Sequence, residues 1–272
     1  MNQVQIFKQS ATVLDTETTN LRPELCEIVE IAGAKWANDG WHAKNMLLGA
    51  YHGIPPEASA KNNISNRMIK DLPKFDQNIR LVKEILGWPA TKYYVAHNAE
   101  YDRAALTAAF TKMHGGTDAK ICKDDNRWIC TWRLSRRILV HDFADVQFGL
   151  SYLRYRLDLP IEDSVGVHRA DQDTMVCAAL LDRLIEIAIG NRMLDHHEDV
   201  GEQLVRMSWD HIPVKSWPIG KYRGQPLSDI PNDYYAWALK NVSQLQEDQP
   251  GFDHDLAESV RQLLEQRLLS DS

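Results

Sequence analysis

No apolar run in these 272 residues approaches the length needed to cross a bilayer. The segment Met1 to Ser10 lacks the apolar core of a secretory signal, so the cytoplasm is the expected location. Four cysteines are scattered at Cys26, Cys122, Cys130 and Cys177, with no Cys-x-x-Cys pair. That spacing excludes a zinc ribbon or thiol-redox motif and predicts reduced thiols. Internal repeats are absent. Positive charge is short as well: 31 Lys and Arg face 38 Asp and Glu, a net charge of −7. Such a balance argues against a protein that coats nucleic acid nonspecifically. It leaves room for a local grip, because carboxylates that bind metal are negative until the ions arrive. The densest basic region, Arg133, Arg136, Arg137, Arg154 and Arg156, offers either that grip or a solvated helix face.

What the chain does contain is an ordinary globular composition, 44% hydrophobic and 25% charged, over a length that allows one large domain with an appendage. Ala11 to Leu14 reads as a buried strand, followed by a polar turn from Asn20 to Glu24. Ile28 to Trp36 and Trp41 to Leu48 read as further strands, with Gly40 in the turn. Helical spacing runs over 62–71 and 75–86, then a short strand Tyr93 to Ala96 precedes an alanine-rich helix from Arg103 to about Met113. Trp128 to Cys130 reads as a strand, Thr131 to Leu139 and Leu150 to Leu157 as helices, and Asp171 to Ile189 as an amphipathic helix stopped by Gly190. Alternating strands and helices predict an α/β fold. The charged stretch 191–199 reads as the start of a linker, and His196-His197 within it as solvated rather than metal-binding.

Three short motifs carry chemistry. In Val13-Leu14-Asp15-Thr16-Glu17-Thr18-Thr19, residues at i and i+2 of an extended chain share a face, so Asp15 and Glu17 project together. Two such carboxylates repel unless a cation lies between them; otherwise the stretch is a strand ending in a polar turn. His97-Asn98-Ala99-Glu100-Tyr101-Asp102 follows a strand and opens a helix, where ligands gather in open α/β sheets, or where Asn98 and Asp102 simply cap. In His168-Arg169-Ala170-Asp171-Gln172-Asp173, an N-cap at Asp171 puts Asp173 in the first helical turn and His168 on the preceding loop. An acid-rich helix start complementing the macrodipole is the alternative.

Taken in this order, the three motifs resemble the DEDDh 3′–5′ exonucleases, the superfamily of polymerase proofreading subunits. Histidine in the third motif marks the h branch. Cys130-Thr131-Trp132-Arg133-Leu134-Ser135-Arg136-Arg137 is similar to a helix of exodeoxyribonuclease X-like proteins, and the resemblance covers roughly residues 8–190. It implies a ribonuclease H-like mixed sheet flanked by helices, with Asp15, Glu17, Asp102 and Asp173 holding two Mg²⁺ or Mn²⁺ ions and His168 as general base. It also implies that Thr18, Leu21 and Asn98 lie near the terminal nucleotide. Asn20 departs from the glycine that many members carry, and asparagine tolerates the left-handed conformation that glycine would supply.

Beyond a linker spanning 191–216, residues 217–272 are expected to form a separate small module. Trp217-Pro218-Ile219-Gly220-Lys221-Tyr222-Arg223-Gly224 resembles the C-terminal module of exodeoxyribonuclease X-like proteins, with Ile219 where a phenylalanine is usual. Lys221, Tyr222 and Arg223 combine basic and aromatic character, the chemistry of single-strand binding, unless Trp217, Tyr234 and Trp237 only form the module's own core. The final helix, Asp255 to Leu269, carries a leucine stripe suited to packing or to a homodimer. The expected activity is metal-dependent removal of nucleotides from DNA 3′ ends, single strands favoured. RNA trimming and a catalytically idle nucleic-acid-binding module are the rivals.

Overall fold

The computed structural model describes residues 2–38, 40–113, 122–139, 148–161, 169–247, 249 and 252–270, and the chain divides into two compact units, Met1–Trp209 and Asp210–Ser272. In the first unit five strands form one mixed sheet: β1 (Ala11–Thr18), β2 (Ile28–Ala37), β3 (Gly40–Leu47), β4 (Tyr93–Ala96) and β5 (Trp128–Cys130). Their order is β3-β2-β1-β4-β5, with β1–β2 and β2–β3 antiparallel and β1–β4 and β4–β5 parallel.

Period-two alternation sorts the core into two layers. Val13, Ala34, Tyr93, Val95 and Ile129 face the helix Ala170–Gly190, whose Val176, Cys177, Leu180, Leu181 and Leu184 are buried against them. Leu14, Ile31, Tyr94, Ala96, Trp128 and Cys130 face the opposite way, toward Val82 and Ile85 of the helix Ile79–Ile85 and Ala105, Leu106 and Phe110 of the helix Ala99–Lys112. Helices therefore cover both faces, as a central strand buried from Ala11 to Leu14 requires. The parity of β1 decides where its polar end points. Asp15 and Glu17 share the face of Val13, and Thr16 shares the face of Leu14.

Several expectations are adjusted. An N-terminal helix, Gln3–Ser10, seats Phe7 in the core. The helix expected over 62–71 is instead Pro56–Asn62 followed by the single turn Asn66–Ile69, because Asn63 takes a left-handed conformation (φ 56°) that ends the first helix. Part of the segment read as a linker is a helix, Val200–Trp209. Val200, Leu204 and Val205 join the core of the first unit, and Gly201 lies flat on the Tyr93 ring, where a Cβ would come within 2.2 Å of it. Much of the basic region is taken up within the fold, while Arg156 is exposed. Arg133 and Arg137 donate to the Ser208 and Met207 carbonyls, and Arg154 is buried. All four cysteines are free and buried, and among the described residues no helix is long and apolar enough to cross a membrane.

The second unit has its own core of Trp217, Leu227, Ile230, Tyr235, Ala238, Val242, Leu245, Leu256 and Val260. Its helices are Asn232–Asn241 and His254–Ser270. Of the expected leucine stripe, Leu256 and Val260 are buried in that core and Leu263 and Leu264 pack beside it, while Leu268 is exposed.

Candidate active site

The C-terminal end of β1 gathers the acidic residues from both layers. On the Val13 face, the first turn of the helix Ala170–Gly190 brings Asp173 to Asp15 and Glu17, and one ligand oxygen from each of the three lies within 4.8 Å of the others. On the opposite face, Asp102 sits in the first turn of the helix Ala99–Lys112 and is buried. Thr16 reaches it from β1: its N–H and its hydroxyl both donate to Asp102 Oδ1, at 3.0 and 2.7 Å. The carboxyl of Asp102 is not within the 4.8 Å group. It is fixed through the residue that separates the two acids of the strand.

Crowding sets the electrostatics. Burial, then the charge of Asp102, then that of Glu17, push the Asp15 carboxyl well above the ordinary aspartate range. Burial and the charge of Asp173 raise Glu17 to about 7, with Glu30 and Asp102 adding to it and Arg169 opposing. Asp102 is also raised to about 7 by burial, against the bonds from Thr16. Buried carboxylates that oppose one another's ionisation are costly unless cations or protons compensate them. An all-oxygen donor set of this kind suits a hard divalent cation.

A further acid takes part that the motifs did not single out. Glu30 stands directly opposite Glu17 in the β1–β2 ladder and is fully buried. It forms a two-pronged pair with Arg169, Nη2 to Oε1 at 2.7 Å and Nε to Oε2 at 3.0 Å. The Ala170 N–H donates to Glu30 Oε2 at 3.2 Å, and Asn45 Nδ2 donates to Oε1 at 2.9 Å. The N-cap of the long helix is Arg169, not Asp171 as expected, and its own side chain makes no cap bond. Glu30 satisfies an orphan N–H of that helix from the neighbouring strand. A single acid inside the apolar run Ile28 to Ala34 was the signal that could have found it.

Of the remaining expected residues, His168 lies outside the described residues. Asn98 is exposed in a left-handed conformation (φ 68°) as the residue before the helix Ala99–Lys112. His97 beside it is held between Thr131 Oγ1 and the Phe148 carbonyl, and burial lowers it to about 4, so it is a neutral packing group. The Thr18 and Tyr101 hydroxyls lie within hydrogen-bond distance of each other and of the Asn20 carbonyl, and their two protons fill two of these three contacts at a time. Asn20 does not adopt the left-handed conformation. Its side chain accepts from the Arg22 N–H and forms an Asx turn instead. Leu21 is 72% exposed. Glu17, Thr18, Leu21, Lys61, Asn62 and Tyr101 border a cleft of about 350 Å³, which Glu17 joins to the acidic group. A larger cleft of about 450 Å³, around Cys26, Tyr51 and Lys74, includes none of them. Lys221, Tyr222 and Arg223 lie on the second unit, in and after the 3₁₀ turn Gly220–Tyr222.

A mixed five-stranded sheet with acids converging on its first strand defines a nuclease fold, and the chain belongs to the exonuclease family: the family model (RNase_T, exonuclease) matches residues 12–181. Within it the chain is a DEDDh 3′–5′ exonuclease, a metal-dependent class of hydrolase. It is similar to exodeoxyribonuclease 10 of Escherichia coli (strain K12), 27% identical over 240 residues, or 86% of this chain and 92% of that protein. That share of this chain exceeds the length of its first unit, so the similarity extends into the second. The DNA polymerase III subunit epsilon of Treponema pallidum (strain Nichols) is 29% identical over 181 residues, covering 64% of this chain and 75% of that one. Among solved structures, exonuclease X in complex with 5′ overhanging duplex DNA superposes with a TM-score of 0.50 at 26% identity, covering 71% of this chain and 99% of that one.

Proposed function

We propose that this exonuclease removes nucleotides from the 3′ ends of DNA, single strands favoured, and releases 5′-mononucleotides. The observation that carries the reading is the convergence of Asp15, Glu17 and Asp173 within 4.8 Å, with Asp102 anchored to the same strand. The similarity to exodeoxyribonuclease 10 and to a polymerase subunit supports DNA as the substrate.

In this reading Asp15, Glu17, Asp102 and Asp173 hold two Mg²⁺ or Mn²⁺ ions, which the oxygen donor set and its uncompensated charge both fit. When bound, such ions supply Lewis acidity that lowers the pKa of water and stabilises charge on the leaving oxygen. The protein's own groups do the rest. His168 takes the proton of the attacking water, a role worth ~10²–10⁴-fold in rate. Thr16 fixes Asp102, and Glu30 with Arg169 fixes the helix start that carries Asp173. Leu21 and Thr18 offer an apolar face and a hydroxyl to the terminal nucleoside, with Asn98 at the nearby helix start. The proposed division is an exonuclease domain and a small C-terminal module, in a cytoplasmic setting where the buried cysteines remain thiols.

The test is a gel assay on 5′-labelled single-stranded DNA and RNA of matched sequence with Mg²⁺ or Mn²⁺. The expected result is a ladder shortening from the 3′ end, faster on DNA, and abolished by EDTA and by Asp173→Ala. Faster shortening of RNA would replace the substrate while keeping the chemistry. Unchanged cleavage by Asp173→Ala would overturn the site assignment.

A further inference from the structure

The second unit presents a surface that the cleavage reading does not use. Its core is closed by Trp217, Tyr235 and Leu256, all fully buried, yet three more aromatic rings lead from it to the surface, Tyr222 and Tyr234 packed against the core and Trp237 exposed. Tyr222 and Tyr234 meet edge to face at 4.5 Å, and Tyr234 and Trp237 lie 5.4 Å apart with planes tilted by 35°. Trp237 ends the row and is 50% exposed. Tyr234 is also edge-on to Trp217 at 5.5 Å, so the row is braced from below. Packing alone does not call for a half-exposed tryptophan at the end of a braced row, since the core is complete without it.

The backbone that carries the row is built to hold it. The Trp217 N–H donates to the Gln225 carbonyl, the Gly224 N–H to the Trp217 carbonyl, and the Leu227 N–H to the Lys215 carbonyl, which closes the 217–225 segment into a short hairpin. Gly220 (φ +60°) and Gly224 (φ +81°) supply the left-handed turns at its tip. That tip displays Lys221 and Arg223 on either side of Tyr222, with the Lys221 ammonium 5.0 Å from the Tyr222 ring centre. Lys215, Lys221, Arg223 and Lys240 are all exposed, and none is ion-paired among the described residues. Charge is also segregated along the module. Residues 211–246 carry those four cations against Asp229 and Asp233 only, whereas 247–272 carry seven acids against two arginines.

We infer that the Tyr222–Tyr234–Trp237 row, flanked by Lys221, Arg223 and Lys240, is a docking site for single-stranded nucleic acid. Bases stack on the Trp237 face and the cations take the phosphates. An anionic polymer with exposed flat faces is the chemistry that fits unpaired cations beside an exposed indole, because aromatic stacking tolerates any base and cations track the backbone. A duplex fits poorly, since its bases are already stacked on one another. An acidic peptide would satisfy the cations and leave the ring row without a partner. This inference goes beyond the cleavage reading and stands apart from it, since it needs neither the metal site nor a 3′ end.

The experiment uses the full chain carrying Asp173→Ala, in EDTA, with fluorescence anisotropy of a labelled oligo(dT). Binding without cleavage is thereby read even if the active-site assignment fails. Trp237→Ala and Trp237→Leu are expected to weaken binding about tenfold, Trp237→Phe to stay within a few-fold of the parent, and Lys221→Ala with Arg223→Ala to flatten the salt dependence. The same length of duplex is expected to bind at least about tenfold more weakly, and an abasic sugar-phosphate strand likewise. Parent-like binding by Trp237→Ala would overturn the inference. So would equal binding of the duplex or of the abasic strand, which would leave only a charged patch. Thermal melting of each variant guards the reading: a variant that melts with the parent and loses binding counts for the site, and Trp237→Phe failing as badly as Ala at unchanged melting counts against it.

Discussion

Glu30 and Arg169, 139 residues apart in the chain, form a two-pronged ion pair across the start of the helix that delivers Asp173 to the carboxylate group. Glu30 is fully buried and Arg169 is one-third exposed, so the acid depends on its partner more than the base does. The pair also ties β2 to a loop-to-helix junction on which the third motif depends. Arg169→Ala is expected to destabilise the fold by about 3 kcal/mol, because it leaves a buried carboxylate uncompensated. Arg169→Ala combined with Glu30→Gln should recover much of that loss. Urea unfolding of both variants is the measurement, and equal stability of the two would show that Glu30 does not need the charge.

Removing one acid from the cluster should separate stability from activity. Asp173→Asn is expected to abolish cleavage and, without metal, to stabilise the protein by about 1 kcal/mol through relief of repulsion with Asp15 and Glu17. Melting in EDTA beside the gel assay reads both. A loss of stability in EDTA would mean that Asp173 is structural.

Divalent metal should reverse that order. Mg²⁺ at about 100 times its dissociation constant adds roughly 2.7 kcal/mol to a protein that binds it only when folded. The wild-type melting temperature is therefore expected to rise with Mg²⁺ or Mn²⁺, and that of Asp173→Asn to rise far less. Equal shifts in the two would place the metal elsewhere.

The raised carboxyls set a pH dependence. Glu17 lies near 7 when folded against about 4.5 ordinarily, and Asp102 near 7 against about 3.8. Between those limits the folded protein keeps protons that the unfolded chain has shed, so this contribution to stability falls as pH rises from about 4 to about 7 and levels off above. Urea unfolding in EDTA across that window, compared with Glu17→Gln plus Asp102→Asn, is expected to show a slope in the wild type that the double variant lacks. A parallel slope in both would exclude these two groups as its source.

Gly201 tests where the first unit ends. A methyl group there would overlap the Tyr93 ring, which is held by Phe7 at 5.7 Å and by its hydroxyl bond to Asp199. Gly201→Ala is expected to cost about 1–3 kcal/mol and to lower the melting of the catalytic unit, despite the better helix propensity of alanine. A stabilised variant would mean that the helix Val200–Trp209 is loosely attached.

The sequence made some of this legible and hid the rest for identifiable reasons. Asp15 and Glu17 could be paired on one face because strand parity is a local rule, and the structure keeps that parity. Asp102 and Asp173 could be placed in first helical turns, since each follows a strand or loop and opens an apolar helix. That Asp102 would be held by Thr16 was not visible, because the bond joins a strand to a helix 86 positions away in the chain. Glu30 stood out only as one acid in an apolar run, with nothing local to name its partner, and Arg169 sat inside a motif whose other residues drew the chemistry. The N-cap was misplaced for the same reason: Asp171 has the usual capping side chain, yet the cap here comes from another strand. Arg133 and Arg137 read as surface charge because a side chain bonded to backbone carbonyls leaves no pattern in sequence.

The wide spacing of Asp15, Asp102 and Asp173 along the chain has a consequence during synthesis. The strand β4 must pair with β1 to bring Asp102 to Thr16, and the helix Ala170–Gly190 must close over the sheet, before the four acids meet. A nascent chain still attached to the ribosome short of that helix lacks Asp173 and cannot complete the acidic group. On the proposed site assignment, cleavage therefore waits until that helix has emerged and folded.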